Sequence, residues 1–234
     1  MDAVGGALVI GSLYWDNKDG RDKWRNNNLN MNNGIRVEVP IRYGRFAKER
    51  NCYTMVFSKS LSDSQMGCGY VLPHQNVSLD KNDLKMHASK MGKAEGPTVN
   101  LVTNWVSVAM LLNPLTLYRK ELTRHWKEII GNSLIDHELL KPFNDEPSPI
   151  SNDGFLTIPW PKKMVDNTLL ANFDYLLATP TLPKHQEKIK NVYPTPQEIA
   201  RLVNWKGDED YFNANRKAGI TTFQDEEILK FRME

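Results

Sequence analysis

Two short stretches carry residue types suited to handling a small polar ligand. "ALVIGSLYW", residues 7 to 15, is an apolar run that stops at Gly11-Ser12 and then places Leu13, Tyr14 and Trp15 in succession. Glycine lets backbone N–H groups approach a ligand closely, and consecutive N–H groups after a strand can cradle an anion. The amphipathic rings of Tyr14 and Trp15 suit the half-wet rim of such a pocket. The second stretch is "ASKMGKAEG", residues 88 to 96. A carboxylate pinned at the end of a helix, as Glu95 is here, can be partly desolvated, which raises its pKa toward the range useful to a general base. The plain alternatives are a tight turn at Gly11-Ser12 and a solvated side chain at Glu95. Whether the two face each other decides between them.

Arginines form the next group. In "IRYGR", residues 41 to 45, Arg42 or Arg45 could grip a substrate carboxylate with two parallel hydrogen bonds, or be a solvated strand-end charge. In "RDKWR", residues 21 to 25, Arg21, Trp24 and Arg25 could frame a pocket or a nucleic-acid backbone, or simply start a surface helix.

These residues need strands and one helix to hold them. Ala7 to Ile10 reads as a strand, and "IRVEVPIRY", 35 to 43, alternates apolar and polar, with Pro40 marking an edge or bulge. Residues 52–58 and 67–72 are two further strands, whereas the Asn-rich 25–34 reads as a surface loop. Leu84, Ala88 and Met91 follow helical spacing behind a capping Asp80, which ends a short helix just before Glu95, with Gly96 as a positive-φ exit. A long apolar strand over 99–112 and a helix carrying Tyr118, Leu122, Trp126 and Ile129 follow. Residues 141–154, rich in Pro, Asn, Asp and Ser, read as a linker. Beyond them come helix starts at Thr195, with Pro196 and Glu198 in place for a capping box, near Asp208, and at Thr222. Trp205, Tyr211 and Phe212 read there as packing residues.

Composition narrows the function. The chain has 234 residues with 30 Lys+Arg against 28 Asp+Glu, so bulk charge does not favour a nucleic-acid partner. Two cysteines, Cys52 and Cys68, sit in apolar runs, and no ligand spacing for a metal occurs among them or the 5 His. No metal and no organic cofactor are expected. The longest apolar run other than the first is too short to span a bilayer, and the N-terminus lacks the basic start of a secretory signal, so no membrane partner and a cytoplasmic location are expected.

Taken in order, "GSL" after the first strand, "GCGYVLP", and a short helix ending in "AEG" resemble the gamma-glutamylcyclotransferase-like family over roughly the first half of the chain. The resemblance maps Gly11, Ser12 and Leu13 onto the family's substrate loop and Glu95 onto its general acid/base. Ile10 stands where the family usually has Tyr, and Met91-Gly92 where it has Leu-Asp. The implied reaction is cleavage of a gamma-glutamyl or related amide by its own α-amine, releasing 5-oxoproline, without metal or cofactor. The resulting expectation is an α+β fold: a mixed, partly closed sheet or barrel over residues 1–131 and a mainly helical extension over 132–234. Glu95 is the expected catalytic residue, and Gly11, Ser12, Leu13, Tyr14, Trp15 and Arg42 are expected to bind substrate. Ile10 and the unmatched C-terminal part motivate a second reading: a non-catalytic module that binds a small molecule or a protein on the same fold.

Overall fold

The computed structural model describes residues 2–78, 80–96, 101–103, 106–131, 137–187, 189–207 and 210–233. It is an α+β protein built on one curled, half-barrel sheet of six strands. In chain order the elements are β1 (Gly5–Val9), α1 (Ser12–Trp15), α2 (Arg21–Asn28), β2 (Ile35–Val39), β3 (Ile41–Ala47), β4 (Cys52–Phe57), β5 (Gly67–Pro73) and α3 (Lys81–Glu95). They continue with β6 (Ala109–Leu112), α4 (Arg119–Ile130), α5 (His137–Leu140), β7 (Lys162–Lys163), β8 (Tyr175–Ala178), α6 (Pro196–Ala200), α7 (Tyr211–Lys217) and α8 (Asp225–Lys230). The main sheet runs β6-β8-β1-β5-β2-β7, and β3 pairs with β4 as a separate antiparallel ribbon.

Every residue of β1 is buried because the sheet is covered on both faces. Leu8, Val37, Val71 and Leu176 point to a core shared with β3, β4, α6 and α7. Ala7, Val9, Leu72 and Leu177 point the other way, to a core shared with α3 and α4, including Leu84, Leu122 and Trp126. The alternation of 35–43 holds: Val37, Val39, Ile41 and Tyr43 are all fully buried. Pro40, which has no N–H to give a ladder, falls where the chain leaves the main sheet for the ribbon. The cap of α3 is as expected, with the Asp80 carboxylate accepting from the N–H groups of Asn82 and Asp83.

Several expectations are corrected. The Asn-rich stretch is not a loop throughout: α2 runs to Asn28, and the Asn28 side chain donates back to the Trp24 carbonyl at 2.8 Å instead of opening the helix. Gly96 has φ −152, an extended exit that any residue can adopt. The apolar run 99–112 is a strand only from Ala109; Val102 pairs back on Ser107, while 97–100, 104 and 105 lie outside the described residues. Nor does the sheet divide at residue 131. β8 lies between β6 and β1, parallel to β1, and Lys162–Lys163 pairs with β2. Residues 141–154 are docked through Glu146, which is 5% exposed, and are not a free linker. Among the described residues no helix is long and apolar enough to cross a membrane.

Candidate active site

β1 and β8 are parallel neighbours, and both run at their C-terminal ends into the wall of one cavity of about 580 Å³. Ligands favour this end of parallel strands, where the chain leaves the sheet and its backbone groups become available. The wall is built from Leu8 to Leu13, the end of α3, the turn between β3 and β4, residues after β8, and Tyr211 of α7.

Glu95 reaches this wall because α3, capped at Asp80, places it in the last helical turn. Burial pushes its carboxyl above the usual carboxylate range, against the pull of Arg21, the Thr179 hydroxyl, Arg50 and Arg45. The Thr179 hydroxyl donates to Glu95 Oε2 over a long 3.4 Å. Most of the carboxylate's acceptor capacity is therefore left for the cavity. Gly11, Ser12 and Leu13 line the same cavity as Glu95. Gly11 has no room for a side chain, because a Cβ there would stand 2.4 Å from the Tyr211 hydroxyl. That hydroxyl accepts from the Met55 backbone N–H at 3.2 Å, which fixes the ring across the loop.

Three other expected binding residues lie off the wall. Tyr14 stacks on Tyr70 with ring centres 4.2 Å apart, and burial pushes its phenol up to about 12. Trp15 donates its indole N–H to Asn215 Oδ1 at 2.8 Å and packs edge-on against Tyr211, one layer behind the cavity. The Arg42 guanidinium lies 3.9 Å over the Tyr193 ring and 5.7 Å from the centre of the Phe223 ring. From "IRYGR" it is Arg45 that lines the cavity. A bulge at Gly44 causes this, setting Arg45 opposite Thr54 and breaking the simple alternation that follows Tyr43.

Arg21 and Arg50 complete the wall, and one buried carboxylate holds both. Asp16 Oδ2 accepts from Arg21 at 2.7 Å and from Arg50 at 2.6 Å, while its other oxygen accepts from the Lys18 N–H. These bonds hold the Asp16 carboxyl below its ordinary range despite burial. Arg21 also donates through Nε to the Ala94 carbonyl, next to Glu95, so the guanidinium braces the end of α3. Arg50, Lys48, Thr179, Lys184 and Tyr211 carry no signal in the sequence that marks them for this site. They sit in a polar turn, after a short strand, or on a helix distant in the chain.

No family model, no curated protein and no solved structure matches the chain. What the site can do is read from its own groups. A carboxyl with raised proton affinity can take a proton from an ammonium and return it, and a cationic wall draws in an anionic ligand. Among the described residues no three His, Cys, Asp or Glu side chains gather as metal ligands.

Proposed function

We propose that this chain is a cytoplasmic gamma-glutamylcyclotransferase-like enzyme that cleaves a gamma-glutamyl or related amide by intramolecular acyl transfer. The observation that carries the reading is the meeting of Glu95 and the Gly11–Leu13 loop on one cavity, with the Glu95 carboxyl raised by burial. In the bound substrate the α-ammonium lies near Glu95, which takes a proton from it. The freed amine attacks the γ-carbonyl, closing a five-membered lactam, and the charge grows on the carbonyl oxygen beside the loop backbone. The C–N bond of the amide then breaks as Glu95 returns its proton to the leaving nitrogen. The second proton, which the ring nitrogen must shed, passes through the freed carboxylate to the departing amine, which leaves as an ammonium. The products are 5-oxoproline and a free amine. Holding amine and carbonyl together is most of the task, and one carboxyl of raised pKa serves the proton transfers.

The test is 5-oxoproline release from a panel of gamma-glutamyl amines and peptides, wild type beside Glu95→Gln. Release by the wild type with loss in the variant supports the reading, and equal release by both removes Glu95 from the mechanism. Binding of the same amides without release from any of them favours the second reading, a binding module, for which the cationic wall is the supporting observation.

A further inference from the structure

The charges on the cavity wall do not balance. Among the described residues, Arg21, Arg45, Lys48, Arg50 and Lys184 set five cationic side chains around it, against the carboxylates of Glu49 and Glu95. Asp16, just behind the wall, contributes a third carboxylate through its pairs with Arg21 and Arg50. Two positive charges are left over, and they are not spread evenly. Asp16 bonds both Arg21 and Arg50, and Glu49 and Glu95 act on Arg45, so three carboxylates answer the three arginines, whereas among the described residues no carboxylate pairs with Lys48 or Lys184.

Backbone pairing brings these two lysines to the same end of β3. The Lys184 N–H donates to the Gly44 carbonyl at 2.9 Å, and its carbonyl accepts from the Phe46 N–H at 2.7 Å. Lys48 follows Phe46 by two residues, in the turn that leads into β4. Both side chains are exposed and both line the cavity, so they stand at its mouth with the equally exposed Glu49 and Arg50, while Arg45 is desolvated further in.

A glutamyl head is a zwitterion near neutral pH, its α-ammonium offset by its α-carboxylate, and it cancels none of this excess. It also fills only part of a cavity of about 580 Å³, a size that suits a larger ligand. We propose that the amine half of the substrate ends in a phosphate monoester, held at the mouth of the cavity by Lys48 and Lys184. The direction of the substrate rests on the cyclisation reading above; the anion site itself rests on the charge balance. A phosphate dianion cancels both leftover charges, a carboxylate cancels one, and a neutral tail cancels none. Two flexible ammonium groups also fit a phosphate, whose oxygens accept point-charge donors from many directions, better than they fit the planar fork of a carboxylate. The phosphate takes no part in bond making. Cleavage releases 5-oxoproline and an amine that still carries it.

Three gamma-glutamyl amides of equal length, ending in phosphate, carboxylate or hydroxyl, are titrated calorimetrically at pH 7.5, where the phosphate is dianionic. The proteins are the wild type, Lys48→Ala/Lys184→Ala, and Lys206→Ala/Lys217→Ala, which removes equal charge from exposed lysines away from the cavity. The wild type is expected to bind the phosphate end at least about tenfold more tightly than the carboxylate end, and the hydroxyl end most weakly. The cavity double variant loses that order and the control keeps it. Equal affinities in the wild type, a preference that survives in the cavity variant, or no binding of any amide overturns the proposal. 5-Oxoproline is scored in parallel. A phosphate preference without release from any amide overturns cyclisation and leaves the phosphate site standing, and release with no preference does the reverse.

Discussion

Glu95 and Glu146 are both glutamates withdrawn from bulk water, and they are held in opposite ways. The carboxylate of Glu146 accepts from the hydroxyls of Ser58 at 2.9 Å, Ser60 at 2.8 Å and Tyr193 at 3.0 Å, and from the Lys59 backbone N–H. A carboxylate offers about four acceptor positions, and this one accepts four hydrogen bonds, three at Oε2 and one at Oε1. Glu95 has the distant Thr179 hydroxyl and an open cavity. Full partnership turns a buried carboxylate into an anchor for the chain around it. Partial partnership beside a space leaves it able to exchange a proton with whatever enters.

Replacing each carboxylate by its amide sharpens that contrast most. Glu95→Gln is expected to lower kcat/KM for a gamma-glutamyl amide by roughly 10²- to 10⁴-fold. Its melting temperature at pH 7 should stay level or rise. The folded state holds the Glu95 proton more tightly than the unfolded chain does, so stability tied to that proton is complete below the unfolded pKa and falls as pH rises through the folded one. Glu146→Gln should behave inversely, losing about 2–4 kcal/mol in urea unfolding because three hydroxyls and an N–H lose their charged acceptor. Equal destabilisation in the two variants breaks the comparison.

Gly11→Ala probes the cavity side alone. Its Cβ meets the Tyr211 hydroxyl, and overpacking of this kind costs about 1–3 kcal/mol. Adding Tyr211→Phe should recover much of the melting temperature; no recovery places the cost elsewhere in the loop. A third polar cluster, at the other end of β1, responds to acid. Burial holds His74 well below its ordinary pKa and lowers His87 as well, beside the Tyr175 and Ser78 hydroxyls, which lie 2.5 Å apart. The unfolded chain therefore binds more protons, and stability present above about pH 6.5 is lost as pH falls below it. His87→Gln should flatten that loss in chemical denaturation across pH 5–7. The smallest effect belongs to the cap: Asp80→Ala should lower the melting temperature slightly, with the rate lowered no further than fraying of α3 explains.

Much of this was legible locally. Asp80 and the Thr195–Glu198 box announce helix starts because capping chemistry is written within three residues, and both form as the sequence implies. Glu95 was reachable for the same reason: the cap and the apolar spacing fix where α3 ends. Tyr211 was not, because it meets Gly11 only through the tertiary fold, and nothing near it distinguishes a cavity-facing ring from a core one. Residues 141–154 misled because Pro, Asn and Ser report turns, and turns can be docked as firmly as helices when a residue such as Glu146 ties them down. β8 is not legible because four residues, "YLLA", are too few for a period to emerge.

The placement of β8 has a consequence for how the chain is made. Among the described residues β1 has no strand neighbour on its side away from β5 until residues 175–178 arrive, and β6 has β8 as its strand partner beside a single bridge from Met110 to Phe155. A nascent chain that has emerged only to residue 174 thus exposes one apolar edge of β1 and leaves β6 held by the Met110–Phe155 bridge alone. Such edges recruit other chains, so the interval between synthesis of β1 and of β8 is when this protein most needs shielding by a chaperone. Once Tyr175 to Ala178 are in place, two edges close in a single step, and the cavity gains the wall formed by the residues that follow.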